Sequence, residues 1–225
     1  SDIEPDDLQG LVFCSSCGKQ ASFIRSNPQT GVATAKYYCR NYTGAKATGE
    51  RFEKRPEIQA EQLKTQLASE CNAYISRLLE LEARMTAAKA IHPNLAFAYR
   101  DKVKALEKQK EENGNLLFQY YMDYLQKKRT KEEYIQKQQE IREQYPNIDE
   151  ELKDARTELS LHSHAVFELE AFIPKYVPAP MSEFDTETVR KIVDEIELNP
   201  GGSIGIEFKK MRYVEMVETL INGII

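Results

Sequence analysis

The chain has 225 residues, enough for one or two domains with a buried core, with 41% apolar and 30% charged residues, 12 Tyr and no Trp. No stretch approaches the roughly 18–20 apolar residues that cross a bilayer, and the acidic start SDIEPDDLQG lacks the basic-then-apolar order of a secretory leader, so a membrane partner and export are not expected and the reading is a soluble, cytoplasmic fragment that begins mid-protein. The net charge of −5 speaks against a nucleic-acid partner until its distribution is read: residues 8–55 hold eight Lys/Arg against two Asp/Glu, whereas residues 56–225 hold 23 against 30.

The basic segment comes first. LVFC, at 11–14, reads as a short strand entering a Cys-x-x-Cys turn. QASFIRS is a strand, NPQTG a turn and VATAKYYC a returning strand, because Pro28 fixes φ and Gly31 frees it. The result is a β-hairpin whose tip and flanks are basic or polar: Arg25, Ser26, Asn27, Gln29, Thr30 and Lys36.

Cys14, Cys17 and Cys39 cluster here, with Cys71 far off, which suits a metal better than a disulfide framework. Zinc takes four tetrahedral ligands, and Cys-x-x-Cys in a tight knuckle supplies two of them; Cys39 would be the third. A fourth should follow within about a dozen residues. The stretch RNYTGAKATGERF instead offers Thr43 and Thr48. Three readings stand open. Cys71, His162 or His164 returns to the knuckle; water or Glu50 completes the site; or the ribbon holds by packing without metal. Cys71 lies on an apolar helical face, where a buried structural thiol is the ordinary outcome. His162 falls on a core position and His164 on a solvated one.

From Pro56 onward the period changes to helix. Leu63, Leu67, Cys71, Tyr74, Leu78 and Met85 recur at three-four spacing, with Ile75 and Leu81 beside them, until His92-Pro93-Asn94 ends the run. A second helix is predicted from about Leu95 to Lys128, interrupted at Asn113-Gly114. A third starts at Thr130, where Thr130 and Glu133 form a capping box, and breaks at Pro146. Ile148, Leu152, Ala155, Leu159, His162, Val166, Leu169 and Ile173 then alternate steps of four and three, a heptad seam. Residues 95–173 therefore read as an antiparallel helical hairpin with its tip near Lys127-Lys128-Arg129. Gly114 and Pro146 lie at matching distances from that tip and predict a bend shared by both arms. IPKYVPAP is a Pro-rich linker, TETVRKIVDEIELN a helix running into a strand, PGGS a turn, IGIEFK a second strand and YVEMVETLINGII a terminal amphipathic helix.

The expected fold is α+β: a small zinc-ribbon-like β domain with its first helix (8–95), a projecting coiled-coil hairpin (96–160), and a returning helix, linker and C-terminal helix plus β-hairpin (161–225).

The order of these parts carries a resemblance. LQGLVFCSSCGKQ followed by KYYCRN resembles the recombinase zinc-ribbon domain of large serine recombinases, the phage integrases and transposon recombinases of bacteria. YLQKKRTKEEYIQKQQEI resembles the tip of their inserted coiled coil, and VRKIVDEIELNPGGSIGIEFK their usual ending, so the likeness covers nearly the whole chain. The family pattern has a fourth cysteine near Thr48, and this sequence departs from it there.

The resemblance implies a C-terminal DNA-binding portion that is not an enzyme by itself, the catalytic serine domain lying upstream. The ribbon would read half of a double-stranded attachment site in the major groove, which admits a β-ribbon, while Arg40, Lys46, Arg51, Lys54 and Arg55 would hold phosphates. The coiled coil would meet that of another subunit through Tyr124, Lys127, Lys128, Arg129 and Tyr134, controlling synapsis and receiving a directionality factor. The competing reading is a zinc-ribbon and coiled-coil adaptor that binds proteins only, which the acidic helical part suits. A metal hydrolase lacks support, since the three His are scattered and no His/carboxylate cluster accompanies the cysteines.

Overall fold

A computed structural model describes residues 7–26, 34–42 and 54–223. The fold is α+β, with strands at both ends of the chain and long helices between them. Two compact units divide it: residues 1–84 with 169–215, and residues 85–168 with 216–225.

The first unit holds both sheets. Strands β1 (Val12–Cys14), β2 (Ser22–Ser26) and β3 (Thr34–Tyr38) form where alternation and turn residues predict them. Ahead of the first helix lies an element that the sequence reading missed, β4 (Glu57–Gln59). Helix was expected from Pro56. Proline disfavours helical geometry in the residue before it, and the exposed edge of β3 offers backbone partners. Tyr37 therefore pairs with Ile58, and helix α1 (Ala60–Ile91) begins only afterwards. β2 and β3 pair antiparallel, Ser22 opposite Tyr38 and Ser26 opposite Thr34, giving the sheet order β2-β3-β4.

Helix α2 (Phe97–Leu125), α3 (Lys131–Gln144) and α4 (Ile148–Tyr176) follow. The chain closes with helix α5 (Thr186–Ile192), strands β5 (Val193–Leu198) and β6 (Ile204–Phe208), and helix α6 (Met211–Asn222). Asp185 caps α5, accepting from the backbone N–H groups of Glu187 and Thr188. The terminal hairpin does not stand alone. β5 pairs parallel with β1, Val12 beside Ile196 and Cys14 beside Leu198, so the second sheet reads β1-β5-β6.

α1 buries the predicted face: Leu63, Leu67, Cys71, Ile75 and Leu78 are fully covered. Tyr74 stacks on Phe208 of β6, ring centres 4.3 Å apart, and its hydroxyl donates to the Lys209 carbonyl at 2.6 Å. That contact places a buried aromatic edge against the sheet without stranding its polar tip.

In the second unit α2 runs antiparallel to the chain that returns through α3 and α4. Lys110 meets Asp149 at 2.6 Å, Glu107 meets Arg156 at 2.7 Å, and Tyr99 stacks on His162 at 4.6 Å. Val103, Leu152 and Ala155 form the buried layer between them, flanked by Leu106 and Leu159. The capping box is present: Thr130 accepts from the Glu133 N–H, and Glu133 accepts from the Thr130 N–H at 2.7 Å.

The interruption at Asn113-Gly114 is not. α3 ends at Gln144 and α4 restarts at Ile148, as Pro146 demands, but α2 continues unbroken through Asn113-Gly114. A glycine costs a helix only about 1 kcal/mol, where proline also removes a donor and clashes with the preceding turn. An amide pair one turn apart, Gln109 to Asn113 at 3.1 Å, supports the helix there. At the break a cavity of about 360 Å³ opens, lined by Lys102, Leu106 and Gln109 of α2 and by Tyr145, Pro146 and Ile148. The linker also starts later than expected. α4 carries Pro174 within its last turn and ends at Tyr176, since proline removes a helical hydrogen bond and crowds the preceding turn.

Two glycines make the packing testable. Gly201 and Gly202 both sit at φ near +84°, but only a Cβ on Gly202 would meet backbone, the Glu57 carbonyl oxygen at 2.8 Å. Gly202→Ala should therefore destabilise the protein by at least about 1 kcal/mol more than Gly201→Ala, whose cost is left-handed strain alone, as read by urea denaturation. Gly114 has open space around its Cβ direction, so Gly114→Ala should raise stability by about 0.5–1 kcal/mol; a loss would mean that the helix needs glycine there.

Candidate metal centre and ribbon

Cys14 ends β1, and the chain turns sharply behind it. The Gly18 N–H donates to the Cys14 carbonyl at 2.8 Å, and the Cys14 N–H donates to the Lys19 carbonyl at 2.9 Å. Gly18 holds φ near +66°, which a side chain resists, so the knuckle closes on a residue suited to it. Cys39 follows β3, and its N–H donates to the Pro56 carbonyl at 2.9 Å. The three Sγ atoms lie within 4.8 Å of one another, with Cys17 and Cys39 at 3.7 Å. Cys14 and Cys39 are buried and Cys17 is exposed.

This donor set fits a thiophilic metal ion. Metal–sulfur bonds of about 2.3 Å in tetrahedral geometry, as for zinc, put sulfurs about 3.8 Å apart, and the Cys17–Cys39 separation matches. The thiols are also electrostatically uneven. Burial raises the Cys14 thiol, but the N–H groups of Ser16 and Cys17 and the thiols of Cys39 and Cys17 together outweigh it, and the net shift is downward. Burial, then the Cys14 and Cys17 thiols, push Cys39 up to about 12. Without a cation, crowded sulfurs resist sharing negative charge; a metal ion removes that conflict.

Among the described residues no fourth Cys, His, Asp or Glu joins the group. Cys71 is fully buried in α1, the structural thiol expected of its face. His162 is buried, stacked on Tyr99, with Nε2 3.4 Å from Glu158; exposed His164 lies 3.9 Å from Glu168. Thr43, Thr48 and Glu50 lie outside the described residues, as do Asn27, Gln29, Thr30, Lys46 and Arg51 of the candidate DNA surface.

The remaining ribbon residues divide by face. Opposed residues of antiparallel strands share a face, and neighbours along a strand do not. Ile24 opposes Lys36 and Arg25 opposes Ala35, so Arg25 and Lys36 point to opposite sides, with Ser26 on the Lys36 side. Lys36 is half-exposed and pairs with Glu57 of β4 at 2.9 Å. Arg25, Ser26, Arg40 and Lys54 are exposed. Arg55 is exposed too, but its guanidinium folds back, donating through Nε and an Nη to the Cys39 carbonyl at 3.1 and 2.9 Å and lying 4.5 Å from the Tyr38 ring centre.

At the helical turn, Lys127 adopts φ +56°, and the N–H groups of Lys128 and Arg129 bond to the Asp123 carbonyl. Lys128 is exposed and Tyr124 half-buried. Arg129 lies over the Tyr120 ring at 4.1 Å and 3.2 Å from Asp123, and Tyr134 packs beside Tyr121 at 5.8 Å. Arg129 and Tyr134 thus close the turn. Sequence reasoning missed the exposed apolar residues behind it: Phe118 (64% exposed), Met122 and Leu125 (53%) on α2 and Ile135 on α3 (47%). Their 118-122-125 spacing was a readable stripe.

No helix among the described residues is long and apolar enough to cross a membrane. Searches against protein-family models, curated proteins and solved structures return no match for this chain.

Cys71 gives a pH test. Burial, with a smaller push from the Glu70 carboxylate, raises its thiol to about 12, above the ordinary 9.0. A proton held more tightly in the fold stabilises it below the ordinary value and ceases to do so as pH rises from 9 towards 12. Between pH 9 and 11 the wild type should lose stability more steeply than Cys71→Ala, by up to about 1.4 kcal/mol per pH unit, in denaturant titrations with chelator present. Parallel slopes would contradict this.

Proposed function

We propose that this chain is the C-terminal DNA-binding and synapsis-control region of a site-specific serine recombinase of the phage-integrase kind. The observation that carries the reading is the juxtaposition of three clustered thiols with the base of an antiparallel ribbon, in the segment where the positive charge is concentrated. Cys14, Cys17 and Cys39 would hold zinc, whose role is to cross-link the knuckle to the ribbon. Arg25 and Ser26, with Asn27, Gln29 and Thr30, would approach base edges; Arg40 and Lys54 would meet phosphates. Lys36, already paired with Glu57, would contribute less than its charge implies.

The helical hairpin supports the second half of the proposal. α3 buries no residue, and the apolar stripe Phe118, Met122, Leu125 with Ile135 lies beside the turn. In the proposed role it meets the same stripe on another DNA-bound subunit, with Tyr124, Lys127 and Lys128 at its margin, and it offers a directionality factor a place to act. No catalytic residue is assigned to this chain. The protein-only adaptor reading keeps one supporting fact, the acidic balance of residues 56–225.

The two readings part in a DNA-binding assay. Duplexes selected from a randomised pool should bind with an affinity that falls steeply as salt rises, because phosphate contacts release counterions. Arg25→Glu should weaken that binding at least tenfold, and Lys128→Glu less than threefold. Salt-independent or absent binding favours the adaptor. Phe118→Asp with Leu125→Asp should leave half-site binding intact while abolishing pairing of DNA-bound subunits in a gel-shift of two-site duplexes. Loss of half-site binding by that folded variant would contradict the division of labour.

A further inference from the structure

The geometry points to Arg55 as the positioning residue of the thiol cluster, a side chain that sets where the Cys39 sulfur stands rather than one that holds DNA phosphate. The inference rests on the metal-binding reading of the three cysteines and adds a residue to it.

Cys39 lies one residue beyond the end of β3, where no ladder partner constrains its carbonyl. Its sulfur must nonetheless stay 3.7 Å from that of Cys17. Both of its backbone polar groups are gripped by two consecutive residues. The N–H donates to the Pro56 carbonyl at 2.9 Å. The carbonyl receives two bonds from Arg55, Nε at 3.1 Å and an Nη at 2.9 Å. Arg55 is itself held by the Tyr38 ring, 4.5 Å below the guanidinium. Fixing the N–H and the carbonyl fixes the peptide planes on both sides of the Cα, and with them the direction of the Cα–Cβ bond that carries the sulfur.

The choice of arginine follows from this. Only its planar fork delivers two donors in fixed geometry to one oxygen while stacking on an aromatic face; the lysine ammonium is a flexible point donor. A charged donor also strengthens the bond to a carbonyl. Groups that orient a ligand from behind commonly change metal affinity by about 10–100-fold when removed. Lys54, its equally exposed neighbour, shows no such engagement among the contacts described, so the two adjacent cations have separate jobs.

The test compares the wild type with Arg55→Ala, Arg55→Lys and Lys54→Ala, using two probes. Zinc affinity is measured by chelator competition, with Cys39→Ser as the control that removes a ligand. Phenylarsine oxide, which bridges two close thiols without needing a metal site, is titrated on the metal-free proteins. Circular dichroism and melting of the metal-free proteins monitor the fold. Arg55→Ala should lose about 10–100-fold in zinc affinity and about tenfold for the arsenical with an unchanged spectrum and melting curve. Arg55→Lys should recover only part of both losses, and Lys54→Ala should match the wild type.

Affinities of Arg55→Ala within twofold of the wild type for both probes would overturn the assignment. So would full rescue by lysine, which would leave charge alone as the requirement. A wild type that takes the arsenical but no zinc would sink the zinc reading while leaving the Arg55 comparison to be decided by the arsenical.

Discussion

One long-range pairing governs the thiol cluster: the three-residue strand β1 lies parallel to β5 from the far end of the chain. The Ile196 N–H donates to the Leu11 carbonyl at 2.8 Å, and Ser15 reaches the Leu198 carbonyl through its N–H at 3.2 Å and its hydroxyl at 3.3 Å. Val12, Cys14, Ile196 and Leu198 are all buried along this ladder. A strand of three residues has too little surface to hold itself in place, and parallel strands always need a crossover between them. Here the crossover is almost the entire chain. The knuckle's turn is local, but the strand that leads into it takes its ladder partner from the far end of the chain, a contact of high sequence separation.

The second cysteine source belongs to a different sheet. Cys14 ends and Cys17 follows a strand of the β1-β5-β6 sheet, while Cys39 follows a strand of the β2-β3-β4 sheet. A metal ion held by all three sulfurs would cross-link the two. The sheets also approach at a second point, where Gly202 of the terminal hairpin turn faces the Glu57 carbonyl of β4. β4 is thus a shared part: it extends the ribbon, accepts the close approach of the turn, pairs Glu57 with Lys36, and follows the Arg55-Pro56 pair that grips Cys39. Much of the site's geometry hangs on a strand that no periodicity announced.

The helical unit follows a different economy of contacts. Its buried layer at Val103, Leu152 and Ala155 is narrow, and beyond Pro146 the returning arm α3 covers nothing fully. Cation and ring contacts close the turn, Arg129 over Tyr120 and Tyr134 beside Tyr121. Phe118, Met122 and Leu125 stay exposed because they lie on the side of α2 opposite its half-buried Leu117, Tyr120 and Tyr124, the last turn's inward face.

The sequence by itself determined what depends on neighbours along the chain. The capping box at Thr130, the break at Pro146, the α1 core face, the helix-strand-turn-strand order after Asp185 and the Cys-x-x-Cys-Gly knuckle all follow from local geometry and period. What depended on distant backbone was not legible there. The β1–β5 pairing, the capture of β4 by the edge of β3 and the bonds of Arg55 to the Cys39 carbonyl each rest on partners supplied by another segment, and residue type does not name that partner. Asn113-Gly114 shows the same limit from the other side: a weak local breaker yields to the helix around it, while Pro146, which removes a donor and adds a clash, does not. The candidate site divides likewise. The three cysteines were readable from spacing, whereas the opposite facing of Arg25 and Lys36 required strand register, and the grip on Cys39 required the fold.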